Sequence, residues 1–214
     1  MNQKKLKFFC KLVRTLIIST IMLSQKKFIE QKINSSIAVK SLLINDDILD
    51  KINNISDLII DCYSKGGKVL LCGNGGSAAD AQHLAAELTG RFYKDREPLF
   101  AESLSVNSSY ITAVANDYSF DVVYSRLVKA FGRPGDILIG LSTSGNSINV
   151  VNAIEMANSL GLVTIGFTGL RESKISEVSN ITIKVPSIDT PRIQECHILI
   201  GHIICEIVEN ELTK

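Results

Sequence analysis

The 214-residue sequence predicts an α/β fold: a doubly wound, five-stranded parallel sheet flanked by helices, with helices ahead of the sheet and a long helix after it. Three observations predict it. Short, nearly continuous apolar runs alternate with segments of helical length from Lys68 onward. Two amphipathic helical stripes precede the first run. The first and third runs each end in a glycine- and hydroxyl-rich turn that leads straight into a helix. Unbroken apolarity is what strands need when helices cover both faces, and such alternation implies parallel pairing through right-handed crossovers.

Taken in order, residues 28–43 carry apolar side chains at roughly helical spacing. Ile48, Leu49, Ile52, Ile55, Leu58, Ile59 and Cys62 trace a second stripe. Gly66-Gly67 ends that helix. Strands are expected over residues 68–72, 99–106, 136–141, 162–167 and 181–185, and a final helix over about 193–210. Ligands of such sheets collect at the carboxyl ends of the strands, where both turns lie.

Composition fits one compact domain. With 45% hydrophobic and 21% charged residues the chain reads as globular, and its formal charge of +1 gives no reason to invoke nucleic acid. Residues 1–21 stand apart. They hold Lys4, Lys5, Lys7, Lys11 and Arg14 and no acid, leaving 18 basic against 22 acidic residues, a net charge of −4, in the remainder. This head resembles a signal peptide, but Arg14 interrupts it and no Ala-x-Ala-like site follows. Leu16 to Leu23 is too short to span a bilayer. The expectation is a non-native or unstructured extension over 1–21, translation from Met22, and a single domain over 22–214. Cys10, Cys62, Cys72, Cys196 and Cys205 are odd in number and lack C-x-x-C spacing, which fits buried thiols in a reducing cytoplasm and no membrane.

The first turn reads Gly73-Asn74-Gly75-Gly76-Ser77 and the second Ser142-Thr143-Ser144-Gly145-Asn146-Ser147. Glycine admits close approach of backbone N–H groups, and a helix start offers unpaired donors, so each turn suits an anion. Four hydroxyls within six residues suit a terminal phosphate. Helix capping by Ser147 or Asn146 is the simpler alternative. Gly73-x-Gly75-x-x-Ala78 also matches the dinucleotide fingerprint. That reading lacks an acidic residue at the tip of the second strand, where "SLSVNSS" stands with Glu102 inside the strand.

His83 and Glu87 are four residues apart on the helix leaving the first turn and share a face. A surface pair, a metal pair or a catalytic pair would all look like this. The other two histidines, His197 and His202, lie on the last helix; His83, Glu87, His202 and a nearby oxygen donor would suit zinc.

"CGNGGSAADAQHLAAELTGR", "ANDYSFDVVYSR", "GDILIGLSTSGNSINVVNAI" and "PRIQECHILIGHIICEIVE" together resemble the phosphoheptose isomerases, from residue 28 to the C-terminus. The resemblance implies the sugar-isomerase (SIS) fold, flavodoxin-like, and conversion of D-sedoheptulose 7-phosphate into D-glycero-D-manno-heptose 7-phosphate, the first step toward nucleotide-activated heptose for lipopolysaccharide or other surface glycans. It implies one zinc per subunit on His83, Glu87, Gln194 and His202. It implies a phosphate on Ser142, Thr143, Ser144 and Ser147, with Asn74, Gly75, Gly76 and Ser77 completing the pocket. Asn116, Asp117 and Arg91 would contact the sugar, as would Glu87 and Gln194. Glu87 is the expected base and His202 its proton-shuttling partner, with either Glu87 loosening from the metal when substrate binds or the metal serving mainly to organise the site. Where the family frequently has an acid, three positions before Gln194, this chain has Pro191, with Asp189 two residues earlier.

Gln194 and His202 are eight residues apart, about 12 Å along a helix. Either the backbone near Pro191 holds Gln194 off the regular helix, or the site combines two chains. The resemblance implies a homotetramer with its active site at the subunit interface, and the apolar "HILIGHIICEIV" stretch fits burial between subunits or in the core. His197 reads as structural. Non-enzymatic relatives that bind the bacterial replication initiator, or that sense a sugar phosphate, are the rival reading. They lack the Glu and the final His, so Glu87 and His202 favour an enzyme.

Overall fold

The computed structural model describes residues 24–213; the head over 1–21 and the expected start at Met22 lie outside the described residues. The chain divides between Ala38 and Val39 into two compact units. Helix α1 covers 24–41. Within the first unit it presents Phe28, Ile29, Ile33 and Ile37, each more than half exposed.

The second unit holds α2 (Asp46–Ser64), β1 (Val69–Gly73), α3 (Gly76–Thr89), β2 (Ala101–Ser103), α4 (Ser108–Asp117) and α5 (Val123–Phe131). It continues with β3 (Ile137–Leu141), α6 (Ile148–Ser159), β4 (Val163–Thr168), α7 (Lys174–Val178), β5 (Ile181–Lys184) and α8 (Thr190–Leu212). All strand pairs are parallel, in the order β2-β1-β3-β4-β5. This is the doubly wound sheet predicted above. The order reverses between β1 and β3, which places the crevice at their carboxyl ends.

Alternation along the strands explains their continuous apolarity. Val69, Leu71, Ile137, Ile139 and Leu141 pack on one face with residues of α2, α3 and α8; Leu70, Cys72 and Leu138 pack on the other with residues of α4, α5, α6 and α7. Every position of β1 and β3 is buried, so neither face tolerates a polar residue.

Two expected elements change length. The second apolar run forms a strand only at Ala101–Ser103. It lies at the sheet edge with β1 as its neighbour, and once Leu104 N–H has bonded Leu71 O the chain turns toward Asn107, which caps α4. The last helix starts at Thr190 rather than near Ile193, because Pro191 sits in the first turn, where its missing N–H costs nothing. Gln194 therefore stands on the regular helix, against the expectation that Pro191 might hold it off.

The four described cysteines are buried and free. His197, buried in α8, sends Nε2 to the Thr168 carbonyl at 3.2 Å and packs edge-on against Phe167, while its Nδ1 finds no partner. Burial presses the imidazole pKa down to about 4, with the Thr168 bond working the other way. An unfolded His197 titrates near 6.5. Between about 6.5 and 4 the unfolded chain binds a proton that the native residue refuses, so the stability supplied here falls as pH drops through that window. Asp80 of α3, raised to about 6 chiefly by burial, acts in the opposite sense over an overlapping range, so the signal lies in a difference between proteins. The unfolding free energy of wild type relative to His197→Phe is expected to fall by about 3 kcal/mol from pH 7 to pH 4 in urea titrations. A flat difference would contradict the neutral buried imidazole.

Candidate active site

The site begins at the end of β1. Gly75 adopts φ +55°, a left-handed conformation suited to glycine, and turns the chain into α3. Gly76 opens the helix; a Cβ there would collide with the Gln194 amide, so α8 reaches the first turn through Gln194. Ser77 is buried and its N–H bonds Asn74 O at 3.0 Å.

Asn74 does not project freely. Its amide and that of Asn149 bond each other reciprocally, Nδ2 to Oδ1 at 2.8 Å and 2.9 Å, and Tyr124 Oη donates to Gly73 O at 2.6 Å and reaches Asn74 Oδ1 at 3.3 Å. Asn149 lies in the first turn of α6, after β3, so this pair bridges the point where the strand order reverses. The two turns are held together by uncharged amides.

At the end of β3, Ser142 is buried and its Oγ lies 3.0 Å from Ser147 Oγ and 3.4 Å from Ser144 Oγ. Ser147 occupies the N-cap position of α6, yet its side chain makes no capping bond. The capping alternative thus fails for Ser147: its hydroxyl faces the other serines. Asn146 instead ties down the loop, donating to Ser144 O and accepting from Lys174 N. A polar cavity of about 250 Å³ lies beside this loop, lined by Thr143, Ser144, Asn146, Arg171 and Thr190 among others.

One helical turn beyond Asp80, His83 Nε2 lies 3.1 Å from Glu87 Oε1 and 2.9 Å from His202 Nε2. Ligand atoms of all three side chains fall within 4.8 Å of one another. Two imidazole nitrogens that close need a shared proton or a cation between their lone pairs, and two imidazoles with a carboxylate match a common zinc donor set. The donor chemistry therefore fits a metal in a single chain. Gln194 lies elsewhere, its amide against Gly76, where it opposes the burial that raises the Asp80 carboxyl. Asn116 and Asp117 end α4, exposed and bonded to each other at 3.0 Å, and Arg91 is exposed beyond α3.

With this geometry, the comparisons with known proteins are decisive. The SIS domain family model matches residues 34–169. A phosphoheptose isomerase of Clostridium acetobutylicum is 50% identical over 188 residues, covering 87% of this chain and 96% of its own. The chain belongs to the phosphoheptose isomerase family. Solved phosphoheptose isomerases agree: that of Neisseria gonorrhoeae superposes with a TM-score of 0.79 at 38% identity, covering 86% of this chain and 98% of its own. That of Francisella tularensis gives 0.83 at 36%, covering 86% and 97%. Membership in the phosphoheptose isomerases makes this chain an aldose–ketose isomerase, and the dinucleotide reading of its glycine turn falls away.

Sequence reasoning passed over Asn149, Tyr124 and Asp80. Asp80 had a signal, standing three residues before His83 on one helical face. Tyr124 had none, because its partner is a carbonyl 51 residues away. Replacing Asn149 by Ala is expected to cost about 1–3 kcal/mol of stability, since Asn74 loses its partner in a half-buried place. Urea denaturation measures this, and an unchanged midpoint would deny the bridge its structural weight.

Proposed function

We propose that the chain interconverts D-sedoheptulose 7-phosphate and D-glycero-D-manno-heptose 7-phosphate through an enediol, the first step toward activated heptose. The observation that carries this reading is the contact of His83, Glu87 and His202 on α3 and α8, two helices that start at the same sheet edge as the serine loop. The relatives named phosphoheptose isomerase support it.

In this reading Ser142, Thr143, Ser144 and Ser147 take the phosphate with Asn74, Gly75, Gly76 and Ser77, while Asn116, Asp117 and Arg91 steady the sugar. Glu87 removes a proton from carbon 1 of the open-chain ketose as His202 gives one to the carbonyl oxygen on carbon 2, forming the enediol. Glu87 then returns its proton to carbon 2 and His202 withdraws one from the oxygen on carbon 1, leaving the aldose. Protons balance, and the anchored phosphate holds the reacting carbons at the carboxylate.

Zinc, one per subunit, would be held by His83, Glu87 and His202, and by Gln194 were it to leave its place beside Gly76; when bound it would polarise the carbonyl. A carboxylate tightly engaged with a cation is a poor base, so Glu87 works as one when that engagement is relaxed. Self-association as a homotetramer, with the site at a subunit interface, belongs to the same reading. The exposed row of Ile29, Ile33 and Ile37 on α1 supports it. Buried free thiols support work in a reducing compartment, the cytoplasm. Among the described residues no helix is long and apolar enough to cross a membrane.

Wild-type protein is expected to convert sedoheptulose 7-phosphate in a coupled assay, and Glu87→Gln to fold yet lose about 10²–10⁴-fold in kcat, the size of a missing general base. Near wild-type turnover would remove Glu87 from that role. Ser144→Ala is expected to raise KM with kcat little changed, and an unaltered KM would count against the serine loop as phosphate anchor.

A further inference from the structure

Glu209 is a buried carboxylate two helical turns after His202 on α8, on the face that also buries Cys205 and Val208. Burial opposes its charge, but three consecutive backbone N–H groups point into it, from Phe92 at 2.9 Å, Tyr93 at 2.7 Å and Lys94 at 2.9 Å. These bonds, with the Arg96 guanidinium, hold the carboxyl below the ordinary glutamate range. Successive N–H groups of this kind form a concave anion site, filled here by the protein's own side chain.

Arg96 completes the arrangement. Its Nε donates to Glu209 Oε1 at 3.1 Å, Nη2 to Glu87 O at 3.0 Å and Nη1 to Leu88 O at 2.9 Å. Those carbonyls belong to the last turn of α3, which has no helical N–H to offer them. Both charged side chains are almost fully enclosed, at 5% and 2% exposure. One ion pair thus clasps the end of the helix that carries Glu87 to the helix that carries His202. The clasped loop also delivers Phe92, whose ring lies 5.7 Å from that of His202.

We infer that Arg96 and Glu209 are positioning residues for the reaction, fixing Phe92 against His202 and the end of α3 against α8 so that Glu87 and His202 keep their working separation. This rests on the proton-transfer reading above. A pair that only held the fold together would stabilise the chain without favouring any particular imidazole geometry. The fork of Arg96 matters, because lysine could keep the charge beside Glu209 but could not span it and two carbonyls at once.

The test uses full-length protein labelled with ¹⁵N-histidine, in which only three histidines report. His197, packed against Phe167 and Thr168, serves as the internal control. In Arg96→Lys, and in Phe92→Leu, which keeps the N–H bond to Glu209 but loses the ring, the His202 and His83 signals are expected to move while those of His197 stay. In the same variants kcat on sedoheptulose 7-phosphate should fall roughly 10–100-fold, with KM within about twofold of wild type. Unmoved His202 signals with unchanged kcat would overturn the inference, and so would all three histidines shifting together. Should Arg96→Lys fail to fold, Glu209→Gln, which keeps the shape but loses the charge of the pair, takes its place with the same expected and overturning results. A wild-type chain inactive on this sugar would defeat the proposed reaction, while the histidine spectra would still judge the pair.

Discussion

The close approach of α3 to α8 is the constraint on which the rest of the molecule depends. Gly201 has no side chain, and a Cβ there would stand 2.5 Å from both terminal carbons of Leu84. Leu84 directly follows His83 and Gly201 directly precedes His202, so the contact that seats one helix on the other also delivers the two imidazoles. Packed interiors do not absorb an extra methyl at such a crossing unless Leu84 gives way. Chemistry and packing share the same few residues.

The sheet supplies the second half of the arrangement. Its strand order reverses between β1 and β3, so α3 leaves on one face and α6 on the other, and a crevice opens where they part. Asn74 and Asn149 close its floor. The glycine turn is then free to shape the helix start while the serines of the other turn face inward. His83, Glu87 and His202 stand further along α3 and α8.

Much of this was legible in the residues. Alternating apolar runs specified the parallel sheet because strands covered on both faces must be apolar throughout, as β1 and β3 are. The i, i+4 spacing of His83 and Glu87 placed them on one face, and the final helix brought His202 to them. Other features were hidden. The length of β2 depends on its edge position, which only the assembled order reveals. Gln194 looked too far from His202 to share a ligand with it, and α8 does run regularly through both, with Gln194 engaged at Asp80 and Gly76. The Glu209 clasp was invisible for a plainer reason: its partners, three backbone N–H groups and the Arg96 side chain, lie more than 110 residues away, and nothing in the spacing links them.

The amide bridge beneath the crevice carries no ionisable group. Lysine or arginine at the same place would attract any passing anion and would weaken as salt rises. Asparagine pairs do neither: what this bridge offers is shape and donor direction instead of net attraction. Such a bridge stays indifferent to ionic strength and to acidity.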